Sequence, residues 1–188
     1  MRREIAAAAL ISIAVLNGCK ENEFIPRGRA EIVLSEIKLS GAQAVSRRID
    51  SDEGFGRTVM DGIASGDSVW LDVAAALQPA SAAAEASFAI ALASALPRSP
   101  RRVLALLGDK YPAEEICSIP FLRSDSTAVI RYYDETEVAI AAVADSSLRS
   151  VRADCATTLD SAKVRRLERI DPGYLIKNKP VATPRRRR

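Results

Sequence analysis

Apolar residues recur every three or four positions through the middle of the chain, the spacing typical of amphipathic helices. Three successive helices are predicted over residues 67–77, 81–96 and 99–107. Each is preceded by a serine or aspartate that can cap it, and each is followed by proline or glycine. The second is rich in alanine, so neighbouring helices can approach it closely.

The rest of the chain adds helices on both sides of this central array. A long helix is predicted over residues 127–143, and a second apolar stripe starts at Leu148 and continues through Cys155 to Leu159. Residues 161–170 extend that helix.

Shorter and less regular helices are predicted nearer the N-terminus, over residues 31–40, 41–48 and 53–65. Short connections favour antiparallel neighbours. The fold class is therefore all-α, a compact bundle of roughly five to seven helices. It forms one domain over residues 30–170, followed by a disordered basic tail at 171–188 that is rich in proline, lysine and arginine.

Two cysteines lie within the predicted domain. Cys155 falls on the buried face of its helix, where Cys117, on a short turn after Pro112, can reach it. In an oxidising compartment such a pair forms a disulfide, which stabilises by about 4 kcal/mol for a loop of this length. Two buried free thiols are the alternative.

The first nineteen residues predict export. Arg2 and Arg3 precede twelve residues of which only Ser12 is polar. At 1.5 Å per residue this run covers about 18 Å, which is short of the roughly 30 Å needed to span a bilayer. The order of basic, apolar and small residues is typical of a secretory signal peptide at 1–18.

Residues 16–19, Leu-Asn-Gly-Cys, resemble the lipobox of bacterial lipoproteins. The resemblance implies cleavage before Cys19 and acylation of that residue. It also implies a membrane contact through the lipid, with Lys20 favouring the periplasmic face of the outer membrane. Residues 19–29 would then form the lipidated tether. A conventional cut near Gly18 and an uncleaved anchor are the alternatives.

Charge and composition exclude several classes of function. Without residues 1–18 the chain carries 25 basic and 23 acidic residues, and four of the basic residues are the terminal arginines 185–188. The remainder is slightly acidic, so no nucleic-acid partner is expected. The chain has no histidine. This removes the commonest general base and the commonest transition-metal ligand, and no cofactor is expected.

Carboxylates are the main candidates for catalysis. Asp134 and Glu137 lie three residues apart and share a helix face, and a pair of carboxylates can hydrolyse glycosides. A solvated helix face is the favoured interpretation. Glu114 and Glu115 are best explained as first-turn residues that stabilise a helix dipole.

Two further motifs are attributed to chance. Ser35 and Lys38 match S-x-x-K, but the other elements that this nucleophile motif requires are missing. Asp50, Asp52 and Glu53 lack the spacing of a calcium loop, so no metal site is predicted.

Two aromatic residues are candidates for contact with a partner. Trp70 is expected in the core, with a partner contact as the alternative, and Tyr132 is expected at the surface with Tyr133 inward. The favoured hypothesis is an envelope lipoprotein that is not an enzyme and acts on an unknown envelope protein, in an immunity-like, inhibitory or scaffold role. The alternative is a small cell-wall hydrolase that uses paired carboxylates.

Overall fold

Helices make up all the regular secondary structure in residues 27–108, 110–120 and 125–177, the part of the chain that the computed structural model describes. The predicted all-α fold is confirmed. The helices are α1 (Arg27–Ser40), α2 (Ala42–Ser51), α3 (Glu53–Ala64), α4 (Ser68–Ala76), α5 (Ala82–Ala95), α6 (Pro100–Leu104), α7 (Ala113–Ile116), α8 (Ser126–Ala141), α9 (Arg149–Ile170) and α10 (Tyr174–Lys177).

Side-chain caps fix where four of these helices begin. In each case a carboxylate or hydroxyl oxygen accepts a hydrogen bond from a backbone N–H two or three residues later, at 2.8 to 3.1 Å. Such caps satisfy donors that a helix leaves without partners in its first turn. The capping residues are Asp52, Asp67, Ser81 and Asp125.

Ser99 precedes α6 as predicted, with Pro100 at the first helical position, but its hydroxyl does not cap the helix. It donates instead to the carbonyl of Gly66, at 2.6 Å, and so ties the start of α6 to the turn between α3 and α4. The helix is also shorter than predicted: it ends at Leu104, three residues before the predicted end at residue 107.

The core lies where α3 and α4 meet the alanine-rich α5. Trp70 of α4 is fully buried, as expected, and its ring lies directly against Gly62 of α3. Phe88 and Leu92 extend the same core from α5. Small residues bring these backbones close together, and dense interiors of this kind tolerate little added volume.

The second half of the bundle pairs α8 with α9 along their length. The predicted disulfide is confirmed: Cys117 and Cys155 are both fully buried and joined, with their Cα atoms 5.2 Å apart. Cys155 lies on the inner face of α9 with Leu159, and the bond fixes the short α7 to that helix.

Helices extend beyond residues 30–170 at both ends. α1 begins at Arg27, inside the predicted tether, because Ala30 and Val33 are already buried. At the other end, α10 occupies part of the predicted disordered tail. It follows Gly173, whose N–H donates to the Glu168 carboxylate at 3.1 Å. The rest of the tail, 178–188, lies outside the described residues.

The predicted surface position of Tyr132 is wrong. Its side chain is only 5% exposed, and its hydroxyl donates to the carbonyl of Ala93 in α5 at 2.7 Å. Tyr133, which was correctly expected inward, is also buried and donates to Asp160 of α9. Adjacent tyrosines can both be buried here because α8 has neighbours on two sides.

Candidate functional site

A groove of about 380 Å³ lies between the segment that follows α6, the start of α7 and the first turns of α9. We call it the α7–α9 groove. Its walls are mostly apolar, and two carboxylates lie along it; the lining residues are Leu107, Gly108, Pro112, Ala113, Glu114, Val151 and Asp154.

The loop before α7 holds one wall of the groove in place. Tyr111 accepts a backbone hydrogen bond from Gly108 at 3.1 Å, and its hydroxyl donates to the carbonyl of Ala74 at 2.9 Å. Burial raises the pKa of the Tyr111 phenol, which therefore stays a hydrogen-bond donor at neutral pH. The wall is thereby fixed to the end of α4.

Lys110 reinforces the same anchor. Its ammonium donates to the carbonyls of Ala74 at 3.2 Å and Ala75 at 2.8 Å, near the C-terminal end of α4. A cation is favoured there because the last carbonyls of a helix carry partial negative charge. Partial burial lowers the pKa of Lys110. Its ammonium forms no ion pair with either groove carboxylate.

The disulfide determines the opposite wall. Asp154 immediately precedes Cys155 on α9, and Glu114 lies three residues before Cys117 on α7. The covalent bond between the two cysteines therefore brings both acidic positions to one groove. Cys117 also donates its N–H to the carbonyl of Ala113 at 2.8 Å, which closes the single turn of α7.

The groove carries two carboxylates that form no ion pair with the described residues. They belong to Glu114 and Asp154, which are both exposed. Apolar walls combined with free carboxylates suit a cationic side chain with a long apolar stem, because the stem packs while the charged end is paired.

The carboxylates considered as the alternative catalytic pair, Asp134 and Glu137, lie elsewhere. Asp134 is on the exposed side of α8, 4.0 Å from the ammonium of Lys163, which lies 3.5 Å from the centre of the Tyr133 ring. The Tyr133 hydroxyl donates to Asp160 at 2.5 Å. Burial and then this carboxylate raise the pKa of Tyr133, and Glu137 adds to the effect. These groups form a polar contact between α8 and α9, outside the groove.

Local structure also accounts for the two motifs attributed to chance. The Ser35 hydroxyl donates to the carbonyl of Glu31 one turn earlier, at 2.9 Å. Asp52 caps α3 by accepting from Phe55 at 3.0 Å. Within the described part of the chain, no three acidic, cysteine or histidine side chains are grouped so as to hold a metal ion.

The two predicted contact residues are not accessible. Trp70 is 0% exposed, as expected of a core residue, and Tyr132 is 5% exposed and bonded to α5, so neither side chain is presented at the surface of the described residues. Exposed apolar side chains are found instead on α1, where Ile32 is 66% and Leu39 is 87% exposed. Seven residues separate them, so they lie on one face of that helix.

Sequence reasoning missed the groove because its residues come from three separate segments. The one signal that could have indicated it is the predicted disulfide, since the acidic positions adjoin the paired cysteines. The lipidation candidate, Cys19, lies outside the described residues.

None of the helices in the described ranges combines the length and the apolar character required to cross a bilayer. No protein-family model, curated protein or solved structure matches the chain.

Proposed function

We propose that this chain is a lipid-anchored protein of the bacterial cell envelope that acts through protein contacts and not by catalysis. The buried disulfide between Cys117 and Cys155 is the observation that carries the proposal. Reducing systems keep cytosolic thiols free, whereas exported proteins retain such bonds. A disulfide in the core of a small helical domain therefore supports an exported protein.

The anchor is assigned to Cys19, from the resemblance of residues 16–19 to a lipobox. The first helix begins at Arg27, eight residues later. Eight residues extend at most about 29 Å, so the domain would remain close to the membrane surface. With Lys20 next to the lipidated residue, we favour the periplasmic face of the outer membrane.

The exposed face of α1 is the proposed contact surface. Ile32 and Leu39 are large apolar side chains that the fold leaves in solvent, on the helix nearest to the anchor. Apolar side chains are well suited to protein interfaces, where their burial contributes about 25 cal/mol per Å². An immunity-like, inhibitory or scaffold role would each use such a face.

Replacing Cys19 by alanine is expected to abolish metabolic labelling with a fatty-acid analogue and to release the protein from the membrane fraction. At about 0.8 kcal/mol per buried methylene, the lost acyl chains account for most of the membrane affinity. The matched control is the Cys117→Ala/Cys155→Ala double variant, which should keep the label. Labelling that persists in Cys19→Ala would disprove the assignment.

A photo-crosslinking amino acid at position 39 is expected to give one discrete adduct with another envelope protein in living cells. The same amino acid at Ser87, which is exposed on α5, is the control and should give none. Leu39→Asp should weaken that interaction by about tenfold or more, since it places a charge in an apolar interface. Equal crosslinking from both positions would refute a contact through α1.

A further inference from the structure

We propose that the α7–α9 groove is a binding site for arginine side chains and that its occupant is the C-terminal arginine run of the same chain, residues 185–188. The proposed contact is intramolecular, so it can be tested on the purified protein and does not depend on the cellular location of the chain. It is based on the charge of the groove, the chemistry of the tail and the distance between them.

Charge complementarity identifies the class of ligand. The groove presents Glu114 and Asp154 without ion-pair partners among the described residues. The tail ends in four consecutive arginines, whereas residues 19–184 are slightly acidic overall. The chain therefore carries a concentrated positive segment and an apolar groove with unpaired negative groups.

Arginine fits this groove better than a simple cation does. Its planar guanidinium donates two parallel hydrogen bonds to one carboxylate and is less strongly hydrated than an ammonium. Its three-carbon stem can pack along apolar walls. Leu107, Pro112 and Val151 supply such walls beside the two carboxylates.

The tail is long enough to reach the groove. α10 is joined to the end of α9 through the hydrogen bond from Gly173 to Glu168. Fourteen residues of α9 separate Glu168 from Asp154, which corresponds to about 21 Å along the helix. Because Lys177 lies about one helical turn beyond Gly173, up to about 6 Å is added to that span, and the residues from Lys177 to the arginine run extend to about 26 Å at Arg185 and about 36 Å at Arg188. The arginines can therefore return along α9 to the groove.

Tethering means that the contact need not be strong. A short flexible linker gives a tethered segment an effective concentration on the order of mM. A groove that binds a free arginine peptide with a dissociation constant of about 1 mM would therefore be about half occupied by the tail or more. The arginine run would then compete with any other cationic segment that enters the groove.

Zero-length crosslinking of the purified full-length chain tests the proposal. Arg186→Lys places an amine in the arginine run, and a carbodiimide then joins it to any carboxylate in direct contact. We expect an intramolecular amide to Glu114 or Asp154, located by mass spectrometry. The yield should fall about tenfold or more in Glu114→Gln/Asp154→Asn, which removes both charged acceptors.

Glu115→Gln is the matched control, because it removes a neighbouring carboxylate of α7 that does not line the groove. It should leave the yield unchanged. The exposed substitutions should also leave thermal unfolding unchanged, which separates loss of contact from loss of structure. A crosslink spread over other carboxylates, or one that joins two molecules, would overturn the proposal.

Vesicles containing phosphatidylglycerol distinguish the proposed contact from binding of the arginine run to anionic lipid. We expect the crosslink to form in their absence. Tail-dependent vesicle binding by a protein that gives no crosslink in solution would assign residues 185–188 to anionic lipid and overturn the intramolecular contact.

Discussion

Replacing Cys117 and Cys155 together by alanine is expected to lower the free energy of unfolding by about 4 kcal/mol. The two residues are 38 positions apart, so the bond closes a long loop and restricts the unfolded chain strongly. Because both sulfur atoms are buried, the loss of packing adds to the entropic effect. Urea denaturation followed by far-ultraviolet circular dichroism measures the change.

The effect should also have a local part. α7 has only four residues and cannot form a stable helix alone, so without the disulfide its contacts with α5 and α9 must hold it. Amide hydrogen exchange at residues 113–117 should therefore accelerate more than exchange in α3. The α7–α9 groove would lose one wall under the same conditions.

Reducing agent supplies the control for this variant. The native protein in excess dithiothreitol should unfold at a urea concentration between those of the oxidised protein and the double variant, because it loses the cross-link but keeps both sulfur atoms in the core. The double variant should not respond to the reagent. The outcome that would contradict this prediction is agreement among the free energies of unfolding of the oxidised native protein, the reduced native protein and the double variant. If all three agreed within about 1 kcal/mol, the disulfide would contribute little to stability.

Much of the helical framework could be predicted because its causes are local. Ser81 and Pro97 bracket α5 in the sequence, and the hydroxyl of Ser81 caps that helix in the structure, at 3.1 Å from the N of Ala84. The apolar stripe through Cys155 identified the inner face of α9. With Cys19 assigned to lipidation, Cys117 was the only cysteine left in the sequence that could pair with Cys155.

The positions that were predicted wrongly depend on neighbours that are distant in sequence. A helix that packs against one neighbour buries one stripe of side chains. In that arrangement Tyr133 would be buried and Tyr132 exposed. Here α8 contacts α9 through Tyr133 and reaches α5 through Tyr132, so both side chains are buried. Periodicity within α8 contains no information about the second partner.

The candidate site was hidden for the same reason. Glu114 was interpreted as a first-turn residue that stabilises a helix dipole, and Asp154 was not singled out; taken singly, each looks like an ordinary residue of a helix surface. Their common groove exists only because the segment after α6 and the first turns of α7 and α9 converge there. The start of the tail was also predicted from local information alone. Composition predicted disorder from residue 171, but Gly173 and Glu168 form a contact that allows one more helical turn.

The second large prediction concerns the contact between Gly62 of α3 and the ring of Trp70 of α4. Gly62→Ala should lower the free energy of unfolding by about 2 kcal/mol, because a Cβ at this position would lie 2.3 Å from a carbon of the Trp70 ring. Overpacking of this kind costs about 3 kcal/mol, and the higher helix propensity of alanine returns about 1 kcal/mol. The ring cannot move away freely, because Trp70 is enclosed on all sides by the core.

Gly54→Ala is the matched control, since it makes the same substitution in the same helix where there is room. The nearest atom to its added Cβ would be a carboxylate oxygen of Asp52 at 3.5 Å, an ordinary contact. Stability should therefore rise by about 0.5 kcal/mol, through the reduced backbone freedom of the unfolded chain. Urea denaturation of both variants separates packing from propensity, and equal effects at the two positions would show that α3 and α4 do not pack through Gly62 and Trp70.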